Sequence, residues 1–125
     1  MRTAINAAVI QDRSVLIVRK KEIWILPGGK PNPGETDLEC LIREASEELS
    51  GTQFVGFTWY GRFEGQTPHT GDILCAQVYF AMILGKLQPP SAEIKETYWF
   101  KREDQHRLSE ITTKIIDSLK NDSYL

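Results

Sequence analysis

The sequence is poor in cysteine, near balance in charge and without a long hydrophobic run. Two cysteines, Cys40 and Cys75, occur in 125 residues. They stand far apart and fit no metal or redox spacing, so a disulfide framework and a cysteine zinc site are excluded. Both read as small buried or half-buried residues. The formal net charge of −2 gives no electrostatic grip on a nucleic-acid duplex or a membrane surface. No apolar stretch reaches the roughly 18 residues that a membrane helix needs. The opening MRTAINAAVI alternates and lacks the cleavage pattern of a secretory leader. Repeats, linkers and low-complexity segments are missing as well. The expectation is a cytoplasmic chain with residues 1–125 as one domain, its 41% apolar content sufficient for one core.

What is present is concentrated in residues 26–51, LPGGKPNPGETDLECLIREASEELSG. Pro27, Gly28, Gly29, Pro31, Pro33 and Gly34 crowd into one loop. Prolines fix φ and glycines permit close backbone approach, so the loop is rigid and specified. A helix follows. Thr36 and Glu39 have capping-box spacing. Leu38, Leu41, Ile42, Ala45 and Leu49 recur at helical period and predict a core-facing stripe. Gly51 stands where a C-terminal cap is expected.

The other face of this helix is acidic. Glu44, Glu47 and Glu48 are neighbours at i+3 and i+4, where like charges cost roughly 0.2–0.5 kcal/mol per pair. They also lie toward the end of the helix whose dipole disfavours anions. Arg43 is one cation beside three anions. Helix energetics would not select this cluster, whereas a hard divalent cation, which takes oxygen ligands, would offset the repulsion. The alternative is a solvated acidic face with Glu39 and Arg43 as an ordinary i,i+4 pair. GKPNPGET has the glycine spacing of a P-loop, but Glu35 occupies the lysine position, so that motif is rejected.

The stretch resembles the Nudix box, G-x5-E-x7-R-E-U-x-E-E-x-G-U, with U aliphatic. Gly29 matches the first glycine and Glu35 the first acid; Arg43, Glu44, Ala45, Glu47 and Glu48 follow in register. Ser50 and Gly51 depart from the last two positions, as if the glycine had moved one place. The resemblance implies an α+β fold, an α/β/α sandwich in which a mixed β-sheet is flanked by helices. It also implies hydrolysis of a nucleoside diphosphate linked to another group X, with Mg²⁺ as cofactor and Mn²⁺ as a substitute. Glu44, Glu47, Glu48 and the Gly29 carbonyl are then the metal ligands, and Arg43 and Glu35 orient them. A further glutamate from the second half often serves the family as general base or metal ligand. Glu93 is preferred over Glu96 because it lies in the loop before Trp99.

The family's basic strand residue suggests Arg19 as substrate-binding, and Lys30 in the box loop is a second candidate for phosphate. The small build is similar to mutator-type nucleoside triphosphate pyrophosphatases. The residues after the box, Gln66, Thr67, Pro68 and His69, do not match a subfamily marker. A small nucleotide substrate is implied, acted on by a monomer or homodimer. The alternative is a Nudix-fold module that binds nucleotides or partners without hydrolysis.

The remaining elements read in order. Strands are expected over 3–11, 14–19, 23–26, 53–63, 72–84 and 97–100, with Asp12 and Arg13 as a turn. Gly56 and Gly61 suggest bulges. Trp24, Phe80, Met82 and Trp99 are expected to pack, and 64–71 and 85–93 to form loops. A helix is expected over 108–119, with Ser109 as cap and Ile111, Ile115, Ile116 and Leu119 inward. His106 is expected in solvent, and the tail NDSYL is expected to fray.

Overall fold

The computed structural model describes residues 2–67, 70–89 and 93–125. Strand β1 (Arg2–Gln11) turns at Asp12 and Arg13, both at positive φ, into β2 (Ser14–Lys20). Two residues in left-handed geometry match the twist of a tight hairpin. The short strands β3 (Ile23–Ile25) and β4 (Gly28–Gly29) lead into helix α1 (Asp37–Glu48). Two long strands follow, β5 (Thr52–Gln66) and β6 (Ile73–Gly85), then β7 (Ile94–Lys101) and helix α2 (Glu110–Asn121).

The sheet runs β3-β2-β1-β6-β5, with β4 beside β1 and β7 beside β2. β1 and β6 pair in parallel from Arg2↔Leu74 to Val9↔Ala81, and the other pairings are antiparallel. Alternation along the strands divides the core into two layers. Ala7, Val9, Leu16 and Val18 face α1 through Leu41, Ala45 and Leu49. Ala8, Val15, Ile17 and Trp24 face α2 through Ile111, Ile115, Ile116 and Leu119. This is the expected mixed sheet between helices.

The hairpin strands β1 and β2 pair only near their turn, at Ile10↔Val15 and Gln11↔Ser14. Beyond it β1 takes β4 as its neighbour, at Ile5↔Gly29 and Asn6↔Gly28. The box loop is therefore sewn into the sheet. Ala7 donates to the Pro27 carbonyl at 2.9 Å, and the Asn6 amide donates to Leu26 at 3.1 Å. Gly28 sits at φ +140°, where a Cβ would collide with the Ile5 carbonyl oxygen, so only glycine lets the strands close here.

Several expectations need correction. Leu38 and Ile42 are exposed at 39% and 54%, while Cys40 is fully buried. The helix is turned so that the side carrying Glu44 and Glu48 faces inward. It ends at Glu48 with Leu49 as its cap, and Gly51, at φ +84°, lies two residues beyond the cap. β5 continues to Gln66, beyond the expected loop start, because its pairing with β6 persists to Gln66↔Ile73. β7 begins at Ile94, earlier than 97. The expected bulges appear as register shifts between Val55 and Thr58 and between Trp59 and Gly61. Met82 is 61% exposed, lying over Gly56 at the sheet edge, while Phe80 is half-buried. The tail does not fray: Leu125 is 1% exposed, its carbonyl accepts from Arg102 Nε at 2.9 Å, and Tyr124 packs on Phe80. His106 is half-buried among Trp24, Tyr98 and Phe100, and its Nδ1 has no hydrogen-bond partner.

Candidate functional site

The N-terminus of α1 forms as its residues dictate. Thr36 accepts from the Glu39 N–H at 3.1 Å, and Glu39 reaches back to the Thr36 N–H at 3.0 Å. This capping box fixes where the helix begins and so where each acid one to three turns later points.

Arg43 is the hub of the acidic face. Nε and Nη2 hold the two Glu35 oxygens at 2.8 and 3.0 Å, and Nη1 donates to Glu44 Oε1 at 2.9 Å. Nη1 also lies 3.4 Å from Glu47, and Nη2 donates to the Lys30 carbonyl at 3.1 Å. One planar guanidinium thus joins the box loop to the helix, a task for which its fixed fork suits it. Its hydrogen bonds to Glu35, opposed by burial, hold the guanidinium well above its ordinary range. Glu35 is pulled down to about 2, first by Arg43 and then by the Asn32 N–H.

Glu44 and Glu48 sit differently. Glu44 is half-buried and its carboxylate presses on Gly29: a Cβ at that position would stand 2.6 Å from Glu44 Oε1. Glu48 is only 5% exposed, and its Oε1 accepts from the Gly28 N–H at 3.0 Å. Its Oε2 is buried and forms an ion pair with Lys20 Nζ at 2.9 Å. Desolvation pushes both carboxyls above the usual range despite Arg43 beside one and Lys20 beside the other. The acidic face is therefore not solvated: of the three acids only Glu47 has a largely exposed side chain, at 55%.

The oxygen-only donor set suits a hard divalent cation, and the buried Glu48 carboxylate beside the Gly28 backbone fits a ligand position. Among the described residues no three acids yet converge on one point. Arg43 pairs with Glu44 and Glu47 and Lys20 with Glu48, so the protein's own cations offset part of the charge.

The other expected residues fall into two groups. Glu93, exposed, borders an open cleft with Lys20, Lys21 and Lys95, and its charge acts on Lys20. Glu96 is engaged elsewhere: Arg19 Nε donates to its Oε1 at 2.9 Å and Arg19 Nη1 to the Lys21 carbonyl at 2.5 Å. Arg19 belongs to the α2 face of β2, where Trp24 opposes it. Lys30 is exposed on the box loop. Pro68 and His69 lie outside the described residues.

Two residues were missed in the sequence. Lys20, not Arg19, faces the acidic helix; strand parity was the available signal, since Leu16 and Val18 share its face. Asn6 is an amide between the buried Ile5 and Ala7, a polar interruption that betrays a task. Both border a cavity of about 240 Å³ lined by Gly28 and Gly29 and mainly by Ile23, Ile25, Leu74, Ile111 and Ile115.

The chain belongs to the NUDIX domain family, whose model matches residues 1–119. The structure superposes on the MutT NUDIX hydrolase of Burkholderia pseudomallei with a TM-score of 0.78 and 25% identity, covering 93% of this chain and 95% of that one. It also resembles the MutT protein of Methanosarcina mazei Go1, with a TM-score of 0.82, 22% identity, and coverage of 97% and 94%. A stretch of 65 residues is 32% identical to the pre-mRNA cleavage factor Im 25 kDa subunit 1 of Arabidopsis thaliana, covering 48% of this chain and 29% of that protein. The chain thus matches less than a third of that relative's length. Among the described residues, no helix is long and apolar enough to cross a membrane.

Proposed function

We propose that the protein is a pyrophosphohydrolase that cleaves a nucleoside diphosphate linked to a group X, with Mg²⁺ as cofactor and Mn²⁺ as a substitute. The observation that carries this reading is the burial of Glu48 and Glu44 against Gly28 and Gly29, two glycines that also line an apolar cavity. Burial raises the cost of these carboxylates even with Arg43 and Lys20 beside them, and a divalent cation would offset it.

Glu44, Glu47, Glu48 and the Gly29 carbonyl would hold the cation. When bound, it offsets the charge of the diphosphate oxygens and lowers the pKa of an attacking water. Arg43, tied to Glu35, keeps Glu44 and Glu47 aimed. Glu93, which shares an open cleft with Lys20, would take the water's proton. Lys20 and Lys30 supply point charges for phosphate oxygens. The cavity receives the base or the X group, with Asn6 as a polar contact. Its small, mostly aliphatic lining is compatible with a mutator-type activity on nucleoside triphosphates, in a cytoplasmic monomer or homodimer.

Phosphate release from a panel of canonical and oxidised nucleoside triphosphates, ADP-ribose, dinucleoside polyphosphates and capped RNA identifies the substrate. Glu48→Gln or Glu47→Gln at saturating Mg²⁺ should abolish most turnover; near wild-type turnover refutes the ligand assignment. Melts in EDTA and in millimolar Mg²⁺ or Mn²⁺ separate enzyme from binding module, since a cation that binds only the folded state raises the midpoint. Equal midpoints with no hydrolysis of any panel member would favour a non-catalytic module.

A further inference from the structure

Lys20 and Glu48 are unequal partners. Glu48 is anchored, its side chain 6% exposed and Oε1 held by the Gly28 N–H. Lys20 keeps 30% of its side chain exposed and borders the open cleft shared with Lys21, Glu93 and Lys95. The anion is fixed and dry, while the cation rides a flexible four-carbon stem with open space beside it. A carboxylate at this depth needs a cation to remain ionised. The Lys20 ammonium stands 2.9 Å from Oε2, so it occupies the carboxylate oxygen that the Gly28 N–H leaves open.

We propose that Lys20 is a displaceable internal counter-ion, which neutralises Glu48 while no divalent cation is bound and swings toward Glu93 and the substrate's phosphate oxygens when one binds. The proposal rests on the pyrophosphohydrolase reading. Burial works against the Lys20 ammonium, but Glu48 chiefly, then Glu93 and Glu44, outweigh it, so the side chain already feels acids on both sides. Metal and lysine then compete for one oxygen. The released ammonium adds a positive charge to the cleft as the metal arrives, which couples cation binding to binding of the diphosphate through a single side chain.

The test measures Mn²⁺ binding by calorimetry for the wild-type chain and for Lys20→Met, with no nucleotide present. In parallel, acetylation of individual lysines in the wild-type chain is followed by mass spectrometry in EDTA and in Mn²⁺. The expected result is about tenfold tighter Mn²⁺ binding by Lys20→Met, within the usual range of coupling between sites. Acetylation of wild-type Lys20 should rise several-fold on adding Mn²⁺, while Lys114, paired with Glu110 on α2, stays constant. If Lys20→Met does not fold, the wild-type labelling decides alone. Mn²⁺ binding with unchanged Lys20 labelling overturns this proposal and leaves the proposed function standing. Absence of Mn²⁺ binding by the wild-type chain overturns both.

Discussion

Arg43 grips Glu35 with two nitrogens, Nε to Oε2 at 2.8 Å and Nη2 to Oε1 at 3.0 Å. This pair bridges the box loop and the helix, and the remaining nitrogen reaches Glu44. Lysine can carry the charge but not the fork. Arg43→Lys should therefore leave the helix formed and reduce metal affinity and turnover by roughly 10–100-fold, the usual cost of losing a group that orients a ligand. Circular dichroism and Mn²⁺ titration check the two halves of this statement.

Gly29→Ala separates site geometry from folding. The added Cβ meets the flexible end of Glu44, not backbone, so the carboxylate moves aside. The thermal midpoint should change little while turnover falls by an order of magnitude or more, since misplacing a reacting or orienting group by about an ångström costs up to roughly 10²-fold. Wild-type turnover in this variant would mean that Glu44 is not needed against Gly29.

Thr36→Ala tests the reverse. It removes half of the capping box without touching an acid of the site. Stability should fall by about 1 kcal/mol, measured by urea unfolding, with the Michaelis constants of a good substrate nearly unchanged.

The pH dependence of stability has a definite sign at Glu35. Its pKa is lowered from 4.5 to about 2 by Arg43 and then by the Asn32 N–H. A carboxyl depressed in the folded state contributes stability that is full above the unfolded value and is lost as pH falls through the folded one. The stability difference between wild type and Glu35→Gln should thus be constant near neutrality and shrink between about 4.5 and about 2. Denaturant melts across that interval would show a flat difference if the Arg43 pair were not the cause.

The helix, its cap, its acids and the two-layer sheet were legible because each rests on local spacing. The capping box is a three-residue pattern, and strand alternation assigns Ala7 and Ala8 to opposite layers without any knowledge of the fold. The errors came where a tertiary partner overrides the local pattern. Leu38 and Ile42 look like core by period, but they are exposed while Glu48 is buried and meets Lys20 and the Gly28 N–H, partners that lie far off in sequence. The polar-looking tail is held by Arg102 and by the Tyr60, Phe80 and Tyr124 rings, none of which is near it in sequence except Tyr124 itself. Spacing preferred Glu93 over Glu96 but could not show that Arg19, on the neighbouring strand, pairs with Glu96.

The parallel ladder between β1 and β6 also bears on how the molecule is assembled in time. Arg2 is paired with Leu74 and Val9 with Ala81, so one long edge of β1 has no partner until most of the chain exists. Closing so large a loop is entropically costly and slow. Until β6 docks, β1 offers open backbone donors and acceptors flanked by alanine, valine and isoleucine, a surface prone to pair with other chains. The box helix, with its own cap and short-range contacts, can form early, but its acids acquire the Gly28–Gly29 backbone only once β1 is fixed. Competence to bind a cation should therefore appear among the last events of refolding, together with the final increment of sheet signal, and stopped-flow refolding in Mn²⁺ would register the two as one phase.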